Sequence, residues 1–152
     1  EQAADLKLAP WREDARSALA EVILLDQFPR NMYRGQGRAY ASDFRARVAA
    51  KRLLAKGWDT DFGKRFRTFA YLPFEHSESV TDQERAVELM NSQGEERGMK
   101  AAQEHLDAIK RFGRFPHRNA PMGRTSTAAE LDYLKDPPRW GKSAIKNADP
   151  DE

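Results

Sequence analysis

A chain of 152 residues suits a single domain with a buried core, and 33% charged against 39% hydrophobic residues, at a mean hydropathy of -0.84, makes it polar but foldable. Three Trp, eight Phe and four Tyr exclude global disorder, while the lack of cysteine excludes disulfides, thiolate metal sites and a cysteine nucleophile. Twenty-six basic residues nearly cancel 24 acidic ones, so any basic patch is local; with no leader-like start and no apolar run of membrane-spanning length, the cytoplasm is the expected location and no membrane partner is expected.

After Pro10, apolar residues at Trp11, Ala15, Ala18, Leu19, Val22 and Ile23 follow the spacing of one helix face, and Leu24 and Leu25 widen the stripe. Phe28-Pro29 is expected to stop this helix, because a residue before proline is pushed out of the α region. A loop from Arg30 to Ala41 follows. Ser42 or Asp43 can cap a second helix with Ala46, Ala49, Ala50 and Leu53 inward and Gly57 as its stop. A third begins near Asp61, stacks Phe62, Phe66 and Phe69, and should break or kink at Pro73. Thr81 to Glu84 spells a capping box for a fourth, ended by Gly94, and a fifth runs from Glu95 to Phe112 with Ala102, Leu106 and Ile109 inward. Thr127 to Glu130 spells a second capping box for a last helix through Leu134. Residues 1–136 are therefore expected as one helical domain and 137–152 as a polar, mobile or surface-draped tail. No run alternates with the period of a strand, so the fold class is all-α, built from antiparallel helix pairs.

Phe28-Pro29-Arg30-Asn31 is echoed by Phe115-Pro116-His117-Arg118-Asn119, and each block is followed by a Gly-Arg step and then a Ser- or Thr-started helix. Two such units stacked together would begin a helical solenoid. Three ordered blocks, Leu24 to Asn31, Tyr71 to Glu78 and Arg111 to Asn119, resemble the signature blocks of a bacterial family of unknown function, and Ser126, Thr127 and Glu130 fit its pattern too. The likeness spans about residues 11–134. It implies a tetratricopeptide-like arrangement of helix pairs and no established activity. It also implies a further aromatic-rich helical segment ahead of Trp11, so the chain is expected to need another cover for its first helix, such as a second subunit.

Asp26 lies +4 from Val22 and +7 from Leu19, on the apolar stripe, where a carboxylate must be paired or hydrogen-bonded. It suits either a clamp for the Arg30 turn or a general acid or base. His105, on the face of Ala102, Leu106 and Ile109, reads as a core histidine donating one hydrogen bond. Histidines at 76, 105 and 117 show no i, i+4 pairing, so no metal site is expected; Gly35-Gln36-Gly37 is too weak to imply a phosphate or dinucleotide cofactor. The loops are more unusual. Arg30, Asn31 and Arg34 crowd one, and Arg114, Arg118, Asn119 and Arg124 crowd the other, interleaved with aromatics.

Guanidiniums bind carboxylate or phosphate bidentately and stack on aromatic faces. If the two units pack side by side, both loops line one concave site for a small anionic ligand or an acidic peptide. The alternatives are a hydrolase- or lyase-type enzyme using Asp26, His76 and His117, and single-stranded nucleic-acid binding, which the near-balanced charge disfavours.

Overall fold

The computed structural model describes residues 9–145, and every regular element within them is helical. After a 3-10 turn at Ala9–Arg12 come α1 (Ala15–Met32), α2 (Asp43–Ala55), α3 (Lys64–Glu75), α4 (Val80–Gln93), α5 (Glu96–Phe112), α6 (Ala128–Lys135) and α7 (Arg139–Ile145). Three more 3-10 turns, Gly37–Tyr40, Trp58–Asp61 and Pro116–Arg118, punctuate the connections.

Side-chain contacts set the directions. Ser42 reaches Leu25 and Arg52 reaches Glu21, so α1 and α2 run antiparallel. Gln83 meets the end of α3 while Gln93 meets Thr68 near its start, which makes α3 and α4 antiparallel as well. Lys110 pairs with Glu84, and Gly98 faces Met90, so α5 returns along α4. Helices α1 and α3 are parallel: Leu19 shares an open apolar groove with Phe62 and Phe66 at one end, and Asp26 meets His76 at the other. Leu19, Val22 and Leu25 of α1 pack with the alanines and Leu53 of α2, Tyr71 and Phe74 of α3, and Met90 of α4 in one core. The small side chains at Ala46, Ala49 and Ala50 let α1 and α2 approach closely.

Several expected boundaries move. Helix α1 starts at Ala15, where the Asp14 carboxylate caps two backbone N–H groups, and Trp11 belongs to the preceding turn. It does not stop at Phe28-Pro29 but runs through proline to Met32. Proline removes the N–H that would have bonded the Leu25 carbonyl. The buried Ser42 hydroxyl donates to that carbonyl instead, at 2.6 Å, which is why the helix survives. Pro73 likewise sits inside α3, in its last turn, with Tyr71 and Phe74 anchored in the core.

The Thr81 to Glu84 capping box does not form, since α4 already begins at Val80. Gln83 is buried instead, and its amide donates to the Glu75 and Ser77 carbonyls, both at 2.6 Å, closing the C-terminus of α3. The stops at Gly57 and Gly94 hold, both with the positive φ that glycine supplies without strain. The Thr127–Glu130 box forms in full. Of the segment expected as a polar tail, 139–145 is helical, and Trp140 packs against Ala108, Ile109 and Phe115; residues 146–152 lie outside the described residues.

Candidate functional site

The extra turn of α1 beyond Pro29 places Asp26, Arg30 and Asn31 along one edge of that helix, above the end of the parallel α3 that carries His76. Asp26 is buried, and both its oxygens face His76 Nδ1, at 2.8 and 3.0 Å. Arg30 lies 3.2 Å from the same carboxylate and donates to the Asp26 carbonyl. Burial opposes ionisation of Asp26, but the His76 ring, Arg30 and a hydrogen bond from Gln27 overcome it and hold the carboxyl at about 2. An ionised Asp26 accepts the Nδ1 proton of His76, which leaves Nε2 with a free lone pair. Burial, with Arg30 nearby, pushes His76 below its ordinary range against the pull of Asp26, so the ring is neutral at pH 7.

The two echoing loops converge here. Arg30 grips Asp43 bidentately, at 2.8 and 2.9 Å, and Arg118 reaches the same carboxylate at 3.3 Å. Arg118 is buried, donates to the His76 carbonyl at 2.9 Å, and lies between the rings of Tyr40 and Phe115 at 4.6 and 4.5 Å. Burial lowers its guanidinium to about 10 despite Asp43, still protonated at any ordinary pH. Contact between the loops is tight enough that a Cβ on Gly37 would sit 2.9 Å from the Pro121 carbonyl oxygen.

Between them lies a cavity of about 280 Å³, lined by Gln27, Arg30, Asn31, Arg34, Tyr40, His76, His105, His117, Arg118 and Trp140 among others. His105 donates Nδ1 to the Ala101 carbonyl at 2.8 Å, with Glu75 3.3 Å from the same nitrogen, and its face stacks on Trp140 at 3.9 Å. Burial drives His105 down to about 3 and His117, with Arg118 beside it, to about 2, so all three histidines are neutral at pH 7. Burial, helped by Asp26, raises Glu75 to about 8, which keeps it protonated too.

Of the residues singled out from the sequence, the structure brings Asp26, Arg30, Asn31, Arg34, His76, His117 and Arg118 to the cavity or its wall. Three others serve elsewhere. Arg114 clamps Glu130 and the Thr125 carbonyl, Arg124 grips Glu78 bidentately, and the buried Asn119 donates to Ser126. These fasten the second loop, and none of the three is among the residues lining the cavity. His117 lies against Phe115 and Trp140, and among the described residues its buried Nδ1 has no hydrogen-bond partner, so it does not extend the Asp26–His76 pair. Sequence reasoning placed Tyr40 among the aromatics interleaved with the loop arginines but missed Gln27, Asp43 and Trp140 as site residues. Trp140, a large aromatic in a polar segment, carried a signal. Among the described residues no cluster of three or more His, Asp or Glu could hold a metal ion.

A helical protein with an open, arginine- and histidine-lined cavity is thus what fold and site define. The chain belongs to the family of bacterial proteins of unknown function DUF924, which it matches over residues 1–138. It is similar to the protein of unknown function ATU0120 from Agrobacterium tumefaciens, with 43% identity and a TM-score of 0.85 over 88% of this chain and 76% of that one. No curated protein is similar to it.

Proposed function

We propose that this protein is a tetratricopeptide-like helical protein of the cytoplasm that binds a small carboxylate- or phosphate-bearing ligand in the cavity between the Arg30 and Arg118 loops. The helix order, with α1 and α2 paired, α3 and α4 paired and α1 parallel to α3, favours the solenoid reading. One observation carries the ligand reading: the guanidiniums of Arg30, Arg34 and Arg118 line one cavity, and no Asp or Glu is among its described lining residues. Among the described residues Arg34 has no acidic partner; its contact is the Asn31 side-chain oxygen at 2.9 Å. The surplus positive charge sits at the mouth, with Arg34 and Asn31 exposed to meet an anion. The cavity is at the small end of ligand pockets, which run from ~300 Å³, and favours a compact anion over an acidic peptide. Nucleic-acid binding is not favoured, since Arg114 and Arg124 are engaged with protein carboxylates.

Thermal unfolding in the presence of inorganic phosphate and small carboxylates tests this reading. A ligand at a hundredfold its Kd stabilises the native state by about 2.7 kcal/mol, which for a chain of this size raises Tm by roughly 5–10 °C. Arg34→Ala should remove most of that shift without changing the ligand-free Tm, because Arg34 is exposed and holds nothing together. A Tm indifferent to all of these anions overturns the proposal.

A further inference from the structure

We propose that the cavity is also a hydrolytic site, in which His76 Nε2 activates water against an ester carrying a second, anionic group. The inference rests on the anion-binding reading above, since the arginines are what hold the substrate. Its support is geometric. Asp26 fixes one tautomer of His76 from 2.8 Å, and the ring, 17% exposed, lines the cavity. A buried carboxylate that orients a histidine and leaves the far nitrogen bare toward a pocket makes a general base. The other two histidines lack this arrangement: His105 is tied to the Ala101 carbonyl and covered by Trp140, and the buried Nδ1 of His117 has no hydrogen-bond partner among the described residues.

The nucleophile is water, because the described residues lining the cavity include no serine, threonine or cysteine. Ser77, next to the base in sequence, gives its hydroxyl to Asp82 at 2.8 Å, and Ser42 gives its own to Leu25. His76 Nε2 takes a proton from water while the water oxygen bonds to the acyl carbon and the carbonyl electron pair moves onto oxygen. Arg118 and Arg30 are the charged groups beside His76 that can steady that oxyanion. Collapse breaks the bond to the leaving alkoxide or phenoxide, which takes the proton back from His76, so water and ester become a carboxylic acid and an alcohol. The groups that face His76 and set its protonation are Asp26, Arg30, Arg118 and His105.

The test uses 4-acetoxybenzoate, which carries a carboxylate, against its uncharged methyl ester, with release of the hydroxybenzoate followed by absorbance. Expected is saturable turnover of the anionic ester, with phosphate as competitive inhibitor and kcat/KM falling at acid pH as His76 protonates. His76→Asn keeps an amide donor for Asp26 but has no Nε2, and should lower kcat at least 100-fold while the phosphate-induced Tm shift persists. Asp26→Asn, at a positioning residue, inverts the tautomer of His76; kcat should drop steeply at near-constant KM, and circular dichroism should show the fold retained. Arg34→Ala should raise KM and leave kcat alone. Absence of turnover above buffer, equal rates for the two esters, or full activity in His76→Asn each overturn the hydrolytic inference. If phosphate still raises Tm in those cases, the anion pocket stands without it; if phosphate does nothing, that reading falls as well.

Discussion

Glu75 and Gln83 show how single buried polar groups shape this molecule. Glu75 is buried beside His105, and burial, with Asp26 near, lifts its carboxyl from 4.5 to about 8. Between those pH values the native state holds a proton that the unfolded chain has lost, so this group stabilises the fold at low pH and its contribution disappears as pH rises toward 8. His105 acts in the opposite sense: lowered from 6.5 to about 3, it is neutral when folded and costs stability as pH falls through that window. Urea midpoints of Glu75→Gln and wild type at pH 5 and pH 8.5 separate the two. The variant should gain on wild type at the higher pH; a constant difference would mean that native Glu75 titrates normally. Gln83 satisfies carbonyls at the end of α3 from a position that is 0% exposed. Gln83→Leu should cost about 1–3 kcal/mol, the usual penalty for stranding buried polar groups, measured by equilibrium unfolding.

At the level of elements, the proline inside α1 is the feature on which the site depends. Had the helix ended before Pro29, Arg30 and Asn31 would not sit on the turn beyond Asp26, and the Arg30 contacts to Asp26 and Asp43 would lose their register. The Ser42 hydroxyl on the freed Leu25 carbonyl ties this helix to the start of α2. Ser42→Ala should therefore destabilise by about 1–3 kcal/mol, because the carbonyl is left with no partner. In Pro29→Ala the backbone N–H returns to that carbonyl, so Ser42→Ala should cost much less in that background. A double-mutant cycle by chemical denaturation checks this, and additive costs would show that the hydroxyl and the proline act independently.

For the molecule as a whole, the second loop is the joint between the helical pairs. Arg118 spans α2, the end of α3 and two aromatic rings from one buried position, and Glu78 accepts from both Arg124 and the Phe115 N–H. Arg118→Ala removes a buried cation, and breaking such a pair costs about 3 kcal/mol or more, or roughly 6–12 °C in Tm for a chain of this length. Arg124→Ala, whose pair is partly exposed, should cost clearly less. Scanning calorimetry on the two variants checks the order; equal losses would mean that Arg118 is not the principal fastening.

The sequence by itself determined whatever depends on neighbours three or four residues away. Apolar periodicity marked the helix faces, glycine marked the stops at 57 and 94, and Thr127 with Glu130 marked the cap, because helical geometry and capping are local. The place of Asp26 on the apolar stripe already required a buried partner for it. Tertiary structure decided the rest. His76 is 50 residues from Asp26 and Arg118 is 75 from Asp43, and their meeting follows from the parallel packing of α1 and α3 and the docking of the second loop. The same packing explains the failures of local rules. Pro29 does not end its helix because the Ser42 hydroxyl, 17 residues from the Leu25 carbonyl it bonds, replaces the bond that proline removes, and Arg114 and Arg124 are held away from the cavity by Glu130 and Glu78.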